Sequence, residues 1–198
     1  MTLEELRRRF AGAAPAETLY GDEGPRPVAE VLKPASVLVP IVPRDAGLTV
    51  IFTQRAAHLK DHSGQISFPG GRAAPSDASP EATALREARE EIGLDAARVE
   101  ILGRLSDYHT RTGYIITPVV GVLAPPFELR PDAGEVEEIF EVPLAFLLDP
   151  ANHQRQSREW QGELRWFFAM PYQGRYIWGA TAGMLVNLSR YLSEPAAR

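Results

Sequence analysis

Residues 70–94 read GGRAAPSDASPEATALREAREEIGL: a loop opened by two glycines, then one strongly marked helix closed by a third. Ser79 suits the N-cap, where a hydroxyl oxygen can accept a first-turn N–H. Pro80 suits the first helical position, where its missing N–H has no partner to lose, and Gly93 suits the left-handed exit. The spacing therefore predicts a helix over 80–92. Glu87, Glu90 and Glu91 stand at i, i+3 and i+4, which puts three carboxylates on one face. Leu85, Ala88 and Ile92 fall on another and can bury against a sheet. Clustered carboxylates repel one another and raise each other's pKa unless a cation sits among them. Hard oxygen ligands of this kind suit Mg²⁺. The same spacing also describes a solvated acidic face paired with Arg86 and Arg89, so the helix alone does not decide.

Outward from this helix, the chain alternates strands and turns. ASVLVPIV (35–42) and LTVIFTQR (48–55) read as strands around the turn Asp45-Ala46-Gly47. Residues 56–80 read mostly as loop, with a short strand at 65–68. Strands are expected at 98–106 and 114–123, and a helical turn at 144–148. WFFAMP and RYIWG read as a hairpin around Gln173-Gly174, followed by an amphipathic helix from Ala180 to Leu192. A short helix at 2–10 leads into an Ala-, Gly- and Pro-rich loop to about residue 34. The expected fold is one α/β domain over 1–198, with 1–34 as an N-terminal extension.

The bulk composition narrows the chemistry. The chain has 198 residues, 44% hydrophobic and 24% charged, which suffices for a buried core. A net charge of −5 argues against electrostatic binding of nucleic acid or a membrane surface. An anionic substrate then needs a metal ion or a local basic pocket. The chain has no cysteine, so disulfides, thiolate metal sites and cysteine nucleophiles are excluded. The start MTLEELRRRF lacks the apolar region of a signal peptide, and no apolar run approaches a membrane span. The expectation is a cytoplasmic protein.

Read whole, 70–94 resembles the Nudix box: G, five residues, E, seven residues, then R-E-U-x-E-E-x-G-U, with U a bulky aliphatic. Gly71, Arg86, Glu87, Glu90, Glu91, Gly93 and Leu94 match, and Ala88 is a small residue at a U position. The segment departs twice: Asp77 replaces the first Glu, and eight residues separate it from Arg86. The resemblance implies an α/β/α sandwich with a mixed sheet and a loop–helix–loop that holds Mg²⁺ or Mn²⁺ against a diphosphate. It makes Glu87 and Glu91 the leading metal ligands, Glu90 a third ligand or catalytic orienting group, and Gly71 part of the metal site. Arg86 would position a glutamate, and Asp77 would support the loop and that arginine.

The preceding block, FTQRAAHLKDHSGQISFPGG (52–71), resembles the second signature of the coenzyme A pyrophosphatase branch, L-L-T-x-R-S-x3-R-x3-G-Q-I-S-F-P-G-G. Thr53, Arg55 and the run from Gly64 to Gly71 match; Lys60 stands in place of the second Arg and Ala56 in place of Ser. The resemblance implies a small-molecule substrate of the coenzyme A class. Arg55 and Lys60 would meet its phosphates, with Gln65, Ser67 and Phe68 as further substrate contacts. Lys60 keeps the charge but not the bidentate grip of a guanidinium. His58 and His62 have no ligand-like spacing. Segments 106–121, 134–144 and 177–185 resemble the same branch, whereas 1–34 and 150–165 carry no functional signal.

The resemblance also implies a glutamate from a later loop, as an extra metal ligand or as the catalytic base that deprotonates the attacking water; Glu135 is the candidate, because it follows the turn-like Pro131-Asp132-Ala133-Gly134 and opens the EVEEIFEVPL segment that resembles the family pattern. Glu137 and Glu138 beside it leave open a plain acidic loop. Two other readings compete: the same hydrolysis on NADH, ADP-ribose or a nucleoside triphosphate, and a catalytically silent nucleotide-binding module. The block at 52–71 argues against the first, and the three box glutamates argue against the second.

Overall fold

Strand β1 (Lys33–Arg44), KPASVLVPIVPR, carries apolar side chains on both faces and so has to lie inside a sheet covered on both sides. Val37, Val39 and Ile41 enter one buried cluster; Leu38 and Val42 enter the other. In this computed structural model, which describes residues 1–11, 32–59, 62–160 and 162–193, β1 is the central strand. It pairs antiparallel with β2 (Gly47–Arg55) across the Asp45-Ala46 turn, and parallel with β7 (Tyr114–Leu123). The mixed sheet runs β3 (Ile66–Ser67), β2, β1, β7, β5 (Val99–Arg104). Three further strands attach to it: β4 (Gly70–Arg72) to β1, β6 (Tyr108–His109) to β7 and β8 (Val136–Pro143) to β2.

Helix α2 (Pro80–Ile92) covers one face with Ala84, Ala88 and Ile92 packed among Leu38, Ile51 and Val119. The two alanines let the helix lie close to β1; a leucine at Ala88 would overpack the contact and cost about 1–3 kcal/mol. Helix α4 (Ala180–Ser193) covers the other face through Leu185, Leu188 and Leu192, joined there by Leu6 and Phe10 of α1 (Leu3–Ala11) and Leu147 of α3 (Leu144–Leu148). The result is the expected α/β/α sandwich.

A second sheet, ordered β11 (Arg175–Trp178), β10 (Glu163–Tyr172), β9 (Gln154–Trp160), lies beside β3 and α4. The hairpin expected around Gln173-Gly174 is present, with both turn residues at positive φ (46° and 80°), as a two-residue turn of type I′ requires. Four strands stand where none was expected: the short β4 and β6, and the longer β8 and β9. In β8, Val136, Phe140 and Val142 are buried in alternation, but the intervening glutamates give the segment the look of an acidic loop. In β9, QRQSREW has no apolar face, and its pairing with β10 is a matter of backbone partners. The expected strand at 65–68 contracts to Ile66–Ser67, and most of the N-terminal loop expected before residue 34 lies outside the described residues.

Candidate active site

The caps of α2 are those its sequence predicts: the Ser79 hydroxyl accepts the Ala82 N–H at 3.2 Å, and Gly93 closes the helix at φ 66°. Helical phase then sorts the three glutamates by depth. Glu91 lies on the sheet side, 4% exposed; Glu87 is half-buried; Glu90 points outward with its side chain 59% exposed. The single face expected for all three is thus a gradient from core to solvent.

Arg86 organises the outer part of this gradient. Its Nε donates to Asp77 Oδ1 at 3.0 Å, and one terminal nitrogen donates to Asp77 Oδ2 and the Arg72 carbonyl at 2.9 and 3.0 Å. The other terminal nitrogen donates to Glu87 Oε1 and Glu90 Oε2 at 2.9 and 3.0 Å. A guanidinium has five N–H groups, and all are used. Asp77 also accepts the Ala74 N–H at 2.8 Å and the Thr83 hydroxyl at 2.9 Å. Arg86 first, then the Ala74 amide, hold the Asp77 carboxyl well below the usual carboxylate range.

Glu91 is under the opposite influence. Its Oε2 accepts the Gly70 N–H at 3.2 Å, and its Oε1 lies 3.8 Å from Arg55. Burial outweighs both and pushes the carboxyl up to about 7, with Glu135 and Glu87 adding to the rise. Burial likewise raises Glu87 against the pull of Arg86, and Glu90 and Glu135 push it the same way. The site therefore holds more buried negative charge than its two arginines neutralise.

Glycine at position 71 is explained by Glu87. A Cβ there would lie 2.6 Å from the Glu87 carboxyl carbon and 2.7 Å from both its oxygens. At Gly70 a Cβ would lie 2.5 Å from the Ser36 carbonyl, so β4 presses directly on β1. Glu135 occupies the turn before β8; its carbonyl accepts the Ala56 N–H at 2.9 Å, and its charge reaches both Glu87 and Glu91. Its neighbours differ: Glu137 and Glu138 belong to β8, and Glu138 pairs with Arg175.

A cleft of about 550 Å³ opens beside these carboxylates, with Gly70, Gly71 and Arg55 in its wall. Gln65, Ser67 and Phe68 line it as well. Gln65 bonds His62 Nδ1 at 2.9 Å, and the Ser67 hydroxyl lies 3.2 Å from that of Thr53. The Phe68 ring is 2% exposed and stacks on Phe52 at 5.1 Å between centroids, so it supports the wall more than it faces the space. Lys60 lies outside the described residues. The same wall carries Arg72, Arg111, Arg165 and Trp178, which sequence reasoning did not single out. Arg111 and Trp178 sit in segments with family resemblance; Arg165 sits in 150–165, where no functional signal was expected. Nothing in a polar strand announces which cavity its arginine will face.

Sequence comparison identifies the family. The NUDIX domain profile matches residues 32–165. The chain belongs to the Nudix family. It is similar to an uncharacterized Nudix hydrolase, NudL, of Photorhabdus laumondii, at 37% identity over 84% of this chain and 88% of that protein. The NudL of Escherichia coli K12, also uncharacterized, is 40% identical over 78% of this chain and 80% of its own length. A Nudix hydrolase of M. smegmatis, RenU, is similar in structure, with TM-score 0.49 and 24% identity over 57% of this chain and 71% of that one. The profile match spans most of the α/β/α sandwich described above, and this Nudix protein has the fold of its family.

Nudix hydrolases generally use divalent ions such as Mg²⁺ or Mn²⁺, and the residues here fit one. Two half-buried or buried carboxylates with raised pKa values lie under uncompensated negative charge, and the space above Gly71 is filled by a carboxylate where any side chain would stand. Among the described residues no three acidic or histidine side chains stand together as a group that could hold a metal ion as they are placed: Glu87 and Glu90 are turned to Arg86. No helix among the described residues is long and apolar enough to cross a membrane.

Proposed function

We propose that this Nudix hydrolase cuts the diphosphate linkage of coenzyme A or a derivative, giving 4′-phosphopantetheine (or its acyl form) and adenosine 3′,5′-bisphosphate. Water adds to one phosphorus, the bridging oxygen leaves on the other phosphate, and one proton is released. The observation that carries this reading is the continuity of the 52–71 block with the box. Arg55, Gln65, Ser67 and Gly71 line one cleft, and that cleft meets Glu91 through Gly70 and Arg55 and Glu87 through Gly71.

In this reading Glu87 and Glu91 hold Mg²⁺ or Mn²⁺, with Glu90 as third ligand or orienting group and Gly71 leaving room at the metal site. The cation supplies Lewis-acid neutralisation of the diphosphate oxygens. Arg86 fixes the carboxylates of Glu87 and Glu90 by charge-assisted hydrogen bonds. Arg55 and Lys60 meet phosphate oxygens, Gln65 and Ser67 line the path of the substrate, and Phe68 stiffens it. Glu135 takes the proton of the attacking water. Comparison of kcat/KM for coenzyme A, NADH and ADP-ribose with Mg²⁺ or Mn²⁺ tests the substrate. Coenzyme A should lead; equal or better turnover of NADH or ADP-ribose would remove the coenzyme A assignment and leave the hydrolase class standing.

A further inference from the structure

Two arginines serve the candidate active site, and they are held in opposite ways. Arg86 has all its N–H groups bonded, to Asp77, Glu87, Glu90 and the Arg72 carbonyl. Arg55 is held at its backbone instead. Its N–H donates to the Gln65 carbonyl at 2.9 Å, its carbonyl accepts the Gly64 N–H at 3.1 Å, and the β2–β8 register shifts between Gln54 and Arg55. A shift of that kind re-aims the side chain. The guanidinium itself has little grip. Among the described residues its Nε is buried without a hydrogen-bond partner, and its ion pair with Glu91 spans 3.8 Å, beyond hydrogen-bond reach. It stands in the wall of the cleft. Arg86 is a fixed brace, whereas Arg55 is a charge on a movable stem.

The carboxylate that Arg55 faces is one the cation needs. Glu91 Oε2 accepts the Gly70 N–H at 3.2 Å, and Oε1 is the oxygen turned to Arg55. Oε1 is therefore the oxygen open to a hard cation, and a cation there repels a guanidinium held at the same carboxylate. The cleft is the space into which that guanidinium can retreat. We propose that Arg55 keeps the cation's place at Glu91 in the metal-free protein, and that metal binding releases its guanidinium into the cleft to bind a phosphate of the substrate. The contact of Arg55 with phosphate is then conditional on metal, so the cation loads first and the nucleotide second. This role of Arg55 rests on the reading of Glu91 as a metal ligand. It does not rest on coenzyme A, because any nucleotide diphosphate offers the same anion.

Two binding measurements on the full chain test this, and neither needs turnover. The first is the Mn²⁺ Kd without nucleotide, read by electron paramagnetic resonance at about pH 8, above the pKa of Glu91. It should tighten at least about fivefold in Arg55→Gln, as loss of a like charge at the ligating oxygen warrants. In a Glu91→Gln background the same substitution should leave the Mn²⁺ Kd unchanged. The second is calorimetric titration with α,β-methyleneadenosine 5′-diphosphate, whose bridge cannot be hydrolysed. Wild type and Arg55→Gln should bind it about equally without metal. At saturating Mn²⁺ the wild type should bind it at least about tenfold more tightly than the variant, as a charge-assisted phosphate contact warrants. Arg55→Lys should fall between the two in both measurements, and serves if Arg55→Gln does not fold. Unchanged or weaker Mn²⁺ binding in Arg55→Gln, the same tightening in the Glu91→Gln background, or one nucleotide ratio with and without metal would overturn the proposal. If Glu91→Gln binds Mn²⁺ like the wild type, the metal-ligand reading falls and takes this role of Arg55 with it. If the coupling holds but coenzyme A is not cut, the substrate assignment alone falls. If coenzyme A is cut and the coupling is flat, the role of Arg55 alone falls.

Discussion

Asp77 and Arg86 meet through two hydrogen bonds, Nε to Oδ1 at 3.0 Å and a terminal nitrogen to Oδ2 at 2.9 Å. The pair ties the loop between β4 and α2 to the helix face that carries Glu87 and Glu90. A shorter carboxylate with one extra residue behind it still reaches the guanidinium, because the loop folds back until Asp77 also accepts from Ala74 and Thr83.

Asp77→Asn should therefore loosen the loop and disorient Arg86. The denaturation midpoint should fall at neutral pH, and kcat/KM should drop by about an order of magnitude, a share of barrier that misplacement alone can account for. Asp77 has its pKa lowered in the folded state, so its contribution is present above its unfolded value near 4 and fades only as pH falls through the lower folded one. The gap between wild type and variant should narrow in strong acid. An unchanged midpoint and rate would show that the pair does no positioning.

Gly71→Ala tests the cradle. The backbone there does not demand glycine, so the protein should fold, but the new methyl would stand 2.6 Å from the Glu87 carboxyl carbon and must displace it. Mn²⁺ affinity, measured by electron paramagnetic resonance, should fall with activity while the melting curve changes little. Normal Mn²⁺ binding would separate Glu87 from the metal site.

Glu91 gives the pH dependence of the opposite sign. Burial lifts its folded pKa to about 7, above the unfolded value near 4.3. Its stabilising contribution is then complete below about pH 4 and is lost as pH rises through 7. Metal-free Glu91→Gln, which cannot ionise, should melt higher than the wild type at pH 8 and lose that advantage by pH 5. The difference should be on the order of a few kcal/mol. A pH-independent difference would mean that Glu91 is not the buried ionising group.

How much of this was legible before the fold was known depends on whether a residue's role is local. Ser79, Pro80 and Gly93 act within one helix, and α2 begins and ends where they predict. Gln173 and Gly174 act within one turn. The unequal depth of Glu87, Glu90 and Glu91 is set by how α2 lies on β1, which helical periodicity cannot supply. The glutamates of β8 hid a strand because their partners, Arg44 for Glu141 and Arg175 for Glu138, are distant in the chain. Arg165 faces the cleft only because β9–β11 form a separate sheet packed beside β3, and a polar strand has no apolar periodicity to announce it.

Glu135 stands apart from Glu137 and Glu138 because its charge reaches the buried pair on α2. Glu135→Gln should lower kcat with little change in KM, and higher pH should relieve part of the defect as hydroxide replaces the base. An unchanged kcat would take Glu135 out of the proton transfer and leave Glu90 as the better candidate.

The proposed role of Glu87 and Glu91 is to direct, through a divalent cation, the cutting of coenzyme A at its diphosphate. Its most direct test is product analysis by mass spectrometry after incubation with coenzyme A and Mg²⁺ or Mn²⁺, run on the wild type, Glu87→Gln and Glu91→Gln. The wild type should give 4′-phosphopantetheine and adenosine 3′,5′-bisphosphate, with none in the presence of chelator, and either variant should give at least about a hundredfold less, which is roughly 2.7 kcal/mol of barrier. Intact coenzyme A after incubation with the wild type and either metal, or near-normal product from either variant, would contradict it.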